Sequence, residues 1–87
     1  MGSDELKKRI AWQAALETSH PSYRVDCDGR LICWSEYGKC TEHGWEIDHI
    51  VPTVLGGLNF AENYRARHWR GNSLAGGILG ALLKGTR

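Results

Sequence analysis

The order of apolar and polar positions predicts a helix at the start of the chain. No Gly or Pro occurs between Asp4 and about Thr18, and acidic residues stand in the first turn. Leu6, Ile10 and Ala14 recur at a spacing of four, which places apolar side chains on one face of a helix. We therefore predict a helix from Asp4 to about Thr18.

The next stretch predicts a β-hairpin. Residues 23–34 contain two β-prone runs on either side of Asp28-Gly29, a dipeptide that favours a two-residue turn between antiparallel strands. Residues 35–44 are mostly polar and predict a loop. This part of the chain is therefore expected to add a small sheet to the helix.

The remaining pattern predicts two further strands and a helix. Residues 45–52 form a strand-like run that ends at a proline, and residues 53–62 form a Gly-rich loop. Residues 63–69 have the alternating character of a short strand. A short helix should begin at about Arg70 and end near residues 76–77. The expected class is α+β.

Length and composition describe one small soluble domain. A chain of 87 residues has room for a single core. Residues 1–3 are interpreted as a remnant of an expression tag, which leaves residues 4–87 as the domain. No apolar run reaches the roughly 20 residues that a membrane span requires, and no secretory signal is present. We expect no membrane association and a cytoplasmic location.

The cysteines do not predict a disulfide framework. Cys27, Cys33 and Cys40 are an odd number, which is typical of reduced thiols in a cytoplasmic protein. Together with His43 they have the spacing C-x5-C-x6-C-x2-H, which lacks the paired C-x2-C of zinc knuckles. A structural zinc ion is not expected.

Charge and hydropathy differ between the two parts of the chain. Residues 1–48 carry six basic and nine acidic residues, whereas residues 49–87 carry five basic residues and one acid. The basic part could face a polyanion, or the difference could be chance on a short chain. The apolar residues 77–85 are expected to dock on the core or to bind a protein partner or a second copy.

Four polar residues carry the candidate chemistry. Asp48 and His49 are adjacent in "GWEIDHIVP", Asn63 follows His49 by fourteen positions, and Asn72 follows Asn63 by nine. With the order strand, Gly-rich loop, strand and helix, this register resembles the ββα-metal (His-Me finger) core of the HNH (His-Asn-His) endonuclease family. The resemblance places that core at about residues 45–77. The His-Trp pair before the helix also resembles a bacterial and phage subgroup of small HNH proteins.

The resemblance implies a role for each of the four residues. His49 would be the general base that activates water, since a neutral imidazole, ordinarily with a pKa of about 6.5, accepts a proton near neutral pH. Asp48 and Asn72 would hold a divalent metal ion, and Asn63 would fix the orientation of His49. One carboxylate, one amide and several waters suit Mg²⁺, with Mn²⁺ as a substitute. The alternatives are a turn acid, a core histidine, a turn asparagine and a helix cap.

Basic residues near this motif are candidates for binding nucleic acid. Arg65, Arg67 and Arg70 could grip phosphates, although a solvated strand face would have the same pattern. His68 could contact the phosphate or serve as a further ligand, or it could have a structural role where the strand meets the helix. Four tryptophans, at positions 12, 34, 45 and 69, are expected in the core rather than as stacking platforms.

The implied function is metal-dependent cleavage of DNA. The family resemblance implies an endonuclease that hydrolyses double-stranded DNA and leaves 5′-phosphate and 3′-hydroxyl ends. One departure is Ala75, where many relatives place a lysine. The alternative is a catalytically weak or inactive module of the same fold that binds nucleic acid or a protein.

Overall fold

The computed structural model describes residues 3–58 and 60–74. Within these residues the chain forms a small α+β protein with one N-terminal helix, five short strands and a helical segment after the last strand. The elements are α1 (Ser3–Gln13), β1 (Leu16–Glu17), β2 (Tyr23–Val25), β3 (Leu31–Cys33), β4 (Trp45–His49) and β5 (Tyr64–His68), followed by the helical segment 69–74.

The strands form two antiparallel sheets. One has the order β1-β2-β3, and the other consists of β4 and β5. Helix α1 packs against β4 and β5. The α+β class, the N-terminal helix and the hairpin within residues 23–34 are therefore confirmed.

The N-terminal helix is shorter than the sequence predicts. It ends at Gln13 and not near Thr18, and the N–H of Ala14 bonds the carbonyl of Ala11 at 3.2 Å, the tighter i−3 geometry common at helix ends. The chain then continues into β1, which pairs with β2. Pairing with a distant strand has overridden local helix propensity, as tertiary context often does.

The apolar stripe predicted for this helix is buried only in part, at Ile10, which packs against the core. Leu6 is 60% exposed, and Ala14 lies beyond the helix and is exposed. The buried helical residues are Ala11, at 0% exposure, and Trp12, at 8%. The helix therefore contributes mainly its last turn to the core, which a search for spacing by four did not detect.

A buried aspartate organises the turn between β2 and β3. Oδ1 of Asp26 accepts hydrogen bonds from the backbone N–H groups of Asp28 and Arg30, and Oδ2 accepts one from the N–H of His68 at 2.7 Å. Asp26 is 3% exposed. Since the strands end at Val25 and resume at Leu31, the turn is longer than the predicted two residues. The carboxylate joins the first sheet to the end of β5.

Trp45 is the centre of the core. It is fully buried on β4, and its ring lies 5.2 Å from that of Trp12, 5.9 Å from that of Trp34 and 4.9 Å from that of Tyr37. Such close aromatic pairs add to the free energy gained by burying their area. Three of the four tryptophans are therefore core residues, as predicted, whereas Trp69 lies outside the buried cluster.

The segment after β4 exposes much apolar surface. Large apolar side chains in residues 50–60 are 47–66% exposed: Ile50, Val51, Val54, Leu55, Leu58 and Phe60.

No helix among the described residues has the length and apolar character that crossing a membrane requires. The predicted apolar docking segment 77–85 lies outside the described residues.

Candidate functional site

The pairing of β4 with β5 determines which candidate residues share a face. Opposite pairs include Glu46 with Arg67 and Asp48 with Arg65. Side chains alternate between the faces of a strand, so these four lie together on one face. The other face of β5 is buried against the core. We call Glu46, Asp48, Arg65 and Arg67, with Asn72, the charged face.

Asp48 and His49 therefore project to opposite sides of β4. His49 is the last residue of the strand, opposite Tyr64 in the register. The His49 and Tyr64 rings lie edge to face with centroids 5.4 Å apart. Both histidine and aspartate are half-buried. His49 thus lies on the side of the sheet that carries Tyr64, which is 5% exposed.

Asp48 is held by two arginines of β5. Nε of Arg65 donates to Oδ2 of Asp48 at 2.8 Å, and Nη1 of Arg67 lies 3.6 Å from the same oxygen. The three side chains are only 15–27% exposed, so solvent screens these ion pairs less than pairs at the open surface. Asp48, the carboxylate predicted to bind the metal ion, is therefore neutralised by Arg65 and Arg67, the residues predicted to bind phosphate.

Arg67 also connects the charged face to the β2–β3 turn. Its Nε and Nη2 donate to the two oxygens of Asp28 at 2.8 and 3.3 Å, a fork geometry that gives direction as well as attraction. The hydrogen bond from Arg67 holds the pKa of the Asp28 carboxyl below its usual value. Arg67 is therefore a structural cross-link as well as a candidate phosphate ligand.

The helical segment 69–74 brings Asn72 to the charged face. Nδ2 of Asn72 donates to Oε1 of Glu46 at 2.6 Å. A Cβ at the neighbouring Gly71 would lie 2.5 Å from Oδ2 of Asp28 and 2.8 Å from Nη1 of Arg30, the ends of two side chains that can shift. Asn72 thus bonds the residue two positions before Asp48, on the same side of β4.

Asn63 ties together the loop that follows His49. Its Oδ1 accepts the N–H of Val51 at 2.8 Å, and its Nδ2 donates to the carbonyls of Val51 and Leu58 at 3.1 and 2.9 Å. Its backbone carbonyl accepts the N–H of Ile50 at 2.9 Å. The hydrogen bonds across the loop that the resemblance implied are present. That they orient His49 stays a prediction.

The second glycine of the "GG" pair has a steric reason. A Cβ at Gly57 would lie 1.8 Å from the carbonyl oxygen of Val51, the same oxygen that accepts from Asn63. The N–H of Gly57 donates to the carbonyl of Pro52 at 3.0 Å. Only glycine allows the loop to fold back closely enough for Asn63 to bond both of its sides.

His68 is placed in the interior and not on a surface that nucleic acid could reach. It is 3% exposed. Its Nδ1 accepts the N–H of Arg70 at 3.1 Å, so its Nε2 is the protonated nitrogen and donates to the carbonyl of Glu42 at 2.7 Å. These contacts support the structural alternative for His68. Arg70 is exposed, with its guanidinium 4.7 Å from the ring centre of Trp69.

The cysteines are free thiols in the structure. Cys27 and Cys40 are exposed and Cys33 is buried. Among residues 3–58 and 60–74, no group of three or more His, Cys, Asp or Glu side chains is placed to hold a metal ion. The predicted magnesium site has a different composition, since it uses one such side chain, Asp48, and the amide of Asn72.

Two residues, one on the charged face and one that contacts it, were not singled out as site residues from the sequence. Glu46 bonds Asn72, and Asp28 bonds Arg67. Alternation along β4 could have identified Glu46, because it lies two positions before Asp48 and so on the same face. Asp28 is 39 residues from Arg67, and no local pattern connects them.

The chain has no match among family models, curated proteins or solved structures. The likeness of residues 45–72 to the HNH endonucleases therefore stays an interpretation of the motif. Its support is the placement of Asp48, His49, Asn63 and Asn72 around one two-stranded sheet.

Proposed function

We propose that this chain is a metal-dependent endonuclease of the HNH type that hydrolyses DNA. The observation that carries the proposal is the bond between Asn72 and Glu46, which brings the helical segment onto the side of β4 that bears Asp48. The order β4, loop, β5 and helical segment 69–74 resembles that of a ββα-metal core and supports the proposal. Asn63 braces the loop directly after His49.

The donor set on the charged face fits a hard divalent cation. Asp48 offers a carboxylate and Asn72 an amide carbonyl, the oxygen ligands that Mg²⁺ and Mn²⁺ prefer. Bound there, such an ion would draw negative charge from the scissile phosphate and from the departing 3′ oxygen. Since Arg65 holds Asp48 at 2.8 Å, this aspartate would have to give up that ion pair to hold the cation.

His49 supplies the proton acceptor. It ends β4, and we place the scissile phosphate over that end of the strand, where His49 and Asp48 would approach it from opposite sides. The imidazole takes the proton of a water that attacks phosphorus in line with the leaving oxygen. Asn63 keeps the following loop in place, because small errors in the position of a base cost much of its effect. The products carry 5′-phosphate and 3′-hydroxyl ends.

Arg65 of β5 and Arg70 of the helical segment bind the DNA backbone. If Asp48 held the cation, Arg65 would be free to bind a phosphate, whose geometry its planar guanidinium matches. Arg70 is already exposed beside the same segment. Arg67 stays on Asp28 and keeps the strand in position. Contacts of this kind position a nucleic acid by its backbone and do not read its bases, and double-stranded DNA is the substrate that we propose.

A plasmid nicking assay tests the proposal. The parent chain should convert supercoiled DNA to nicked circles in Mg²⁺ and should stop when EDTA is added. His49→Ala should reduce the rate at least about 100-fold, the range expected for loss of a general base. His20→Ala changes an exposed histidine of a turn and should cleave like the parent. Equal cleavage by His49→Ala and the parent would contradict the mechanism.

A module that binds without cleaving is the second candidate. The exposed apolar side chains of residues 50–60 favour it, because clustered apolar surface is typical of interaction sites. Such a module would bind DNA or a protein in the presence of EDTA and would leave plasmid DNA intact in Mg²⁺ and Mn²⁺. Cleavage that depends on His49 would exclude it.

A further inference from the structure

Glu46 has a position and a contact that the four-residue motif does not explain. It lies on β4 two residues before Asp48, on the charged face, and is half-buried. Its Oε1 accepts a 2.6 Å hydrogen bond from Nδ2 of Asn72, across 26 residues of sequence. A carboxylate bonded to a candidate metal ligand is a typical arrangement around metal sites.

The contact fixes which end of the Asn72 amide faces Glu46. An ionised carboxylate only accepts hydrogen bonds, so the nitrogen of the amide must point toward it. The carbonyl oxygen Oδ1 is then at the opposite corner of the amide plane. An asparagine without such a partner can present either its nitrogen or its oxygen, and only the oxygen is a ligand for a hard cation.

Other contacts hold the backbone of this region but not that amide. The N–H of His68 donates to Asp26, and the N–H of Arg70 donates to His68. They fix where the helical segment begins. The bond to Glu46 fixes the side chain of Asn72 itself.

We propose that Glu46 is a positioning residue for Asn72. It holds the amide nitrogen so that Oδ1 is presented to the divalent cation beside Asp48. This inference rests on the proposed metal site. Glu46 acts through Asn72, and its hydrogen-bond acceptor matters more than its charge.

Two uncharged substitutions of Glu46 distinguish the effect of its hydrogen-bond acceptor from the effect of its charge. Glu46→Gln removes the charge but keeps a carbonyl oxygen that can accept from Asn72, whereas Glu46→Ala removes both. Mn²⁺ binding to the full chain, measured by calorimetry without DNA, gives the dissociation constant. We expect Glu46→Ala to bind Mn²⁺ about tenfold more weakly than Glu46→Gln, within the range for outer-shell partners.

The same comparison in an Asn72→Ala background tests whether Glu46 acts through Asn72. If it does, Glu46→Ala and Glu46→Gln bind Mn²⁺ equally once Asn72 is absent, since the coupled group is gone. A tenfold difference that persists without Asn72 would overturn the inference. So would equal affinities of the two variants in the parent background.

Failure of the metal site itself gives a different result. If the parent binds no Mn²⁺, or if Asn72→Ala binds it like the parent, both the site and the role of Glu46 are wrong. If the parent binds, Asn72→Ala weakens binding and the two Glu46 variants agree, only the role of Glu46 is wrong. Thermal unfolding of each variant verifies that it is folded.

Discussion

Arg65 and Asp48 stand directly opposite each other on β5 and β4, and Nε of Arg65 donates to Oδ2 of Asp48 at 2.8 Å. The residue proposed to hold the metal ion is thus paired with a residue proposed to hold the phosphate. Both proposals require the pair to separate. The ion pair is half-buried, so breaking it has a measurable free-energy cost.

Removal of Arg65 should strengthen metal binding. In Arg65→Gln the cation no longer competes with a guanidinium for Asp48, and we expect Mn²⁺ to bind about two- to fivefold more tightly, which corresponds to at most about 1 kcal/mol. Calorimetry measures the change. Arg30→Gln removes one positive charge from the Asp28 pair instead and serves as the control. If Arg65→Gln bound Mn²⁺ no more tightly than Arg30→Gln does, Arg65 would not compete with the cation for Asp48.

The same variant should bind DNA more weakly. Arg65→Gln removes one proposed phosphate contact, so the slope of log affinity against log salt concentration should become shallower by about one. Fluorescence anisotropy with a short duplex in Ca²⁺, at several salt concentrations, measures the slope. An unchanged slope would mean that Arg65 stays away from phosphate.

Gly57→Ala should damage the loop that Asn63 braces. The new Cβ would meet the carbonyl of Val51 at 1.8 Å, and the required shift disturbs the bonds from Asn63. We expect a loss of about 1–3 kcal/mol in the free energy of unfolding, the range for overpacking, and slower nicking. Chemical denaturation and the plasmid assay measure both.

Gly38→Ala is the matched control for this substitution. Gly38 has a φ of +77°, and a Cβ there meets nothing within 4 Å. It should cost about 1–2 kcal/mol through backbone strain alone and leave the nicking rate of the folded protein unchanged. If Gly57→Ala and Gly38→Ala nicked plasmid DNA at the same rate, the loop that Asn63 braces would have no part in the mechanism.

Asp28→Asn should make stability less sensitive to acid. The pKa of Asp28 is lowered below its usual 3.8, first by the hydrogen bond from Arg67. A carboxyl with a lowered folded-state pKa stabilises the fold above its unfolded pKa and loses that contribution as the pH falls through the folded pKa. At pH 7 we expect the free energy of unfolding of Asp28→Asn to be at most about 1 kcal/mol lower than that of the parent. Chemical denaturation at several pH values should show this difference disappearing as the pH falls below 3.8. A difference in the free energy of unfolding that did not change with pH would show that the ionised Asp28 carboxylate is not its cause.

The sequence predicted the elements whose signals are local. The hairpin around Asp28-Gly29 and the strands that contain Asp48 and Arg65 follow from short apolar runs and turn residues. The end of α1 was wrong because Leu16–Glu17 pairs with β2, and a strand of two residues has no pattern of its own.

The sequence proposed four residues of the candidate site but not the contacts that they make. Spacing identified Asp48, His49, Asn63 and Asn72. It could not show that Arg65 neutralises Asp48, since that depends on the register of β4 with β5. His68 bonds the carbonyl of Glu42, 26 residues earlier in the chain. No local sequence pattern could have predicted that contact either.

Metal binding to the charged face is the most direct measurement of the central claim. Isothermal titration of the folded chain with Mn²⁺ should show one site, and Asp48→Asn and Asn72→Ala should each weaken binding at least about tenfold. Asp4→Asn and Gln13→Ala change an exposed carboxylate and an exposed amide of α1 and should bind like the parent. If Asp48→Asn and Asn72→Ala retained the affinity of the parent, these residues would hold no cation and the account would fail.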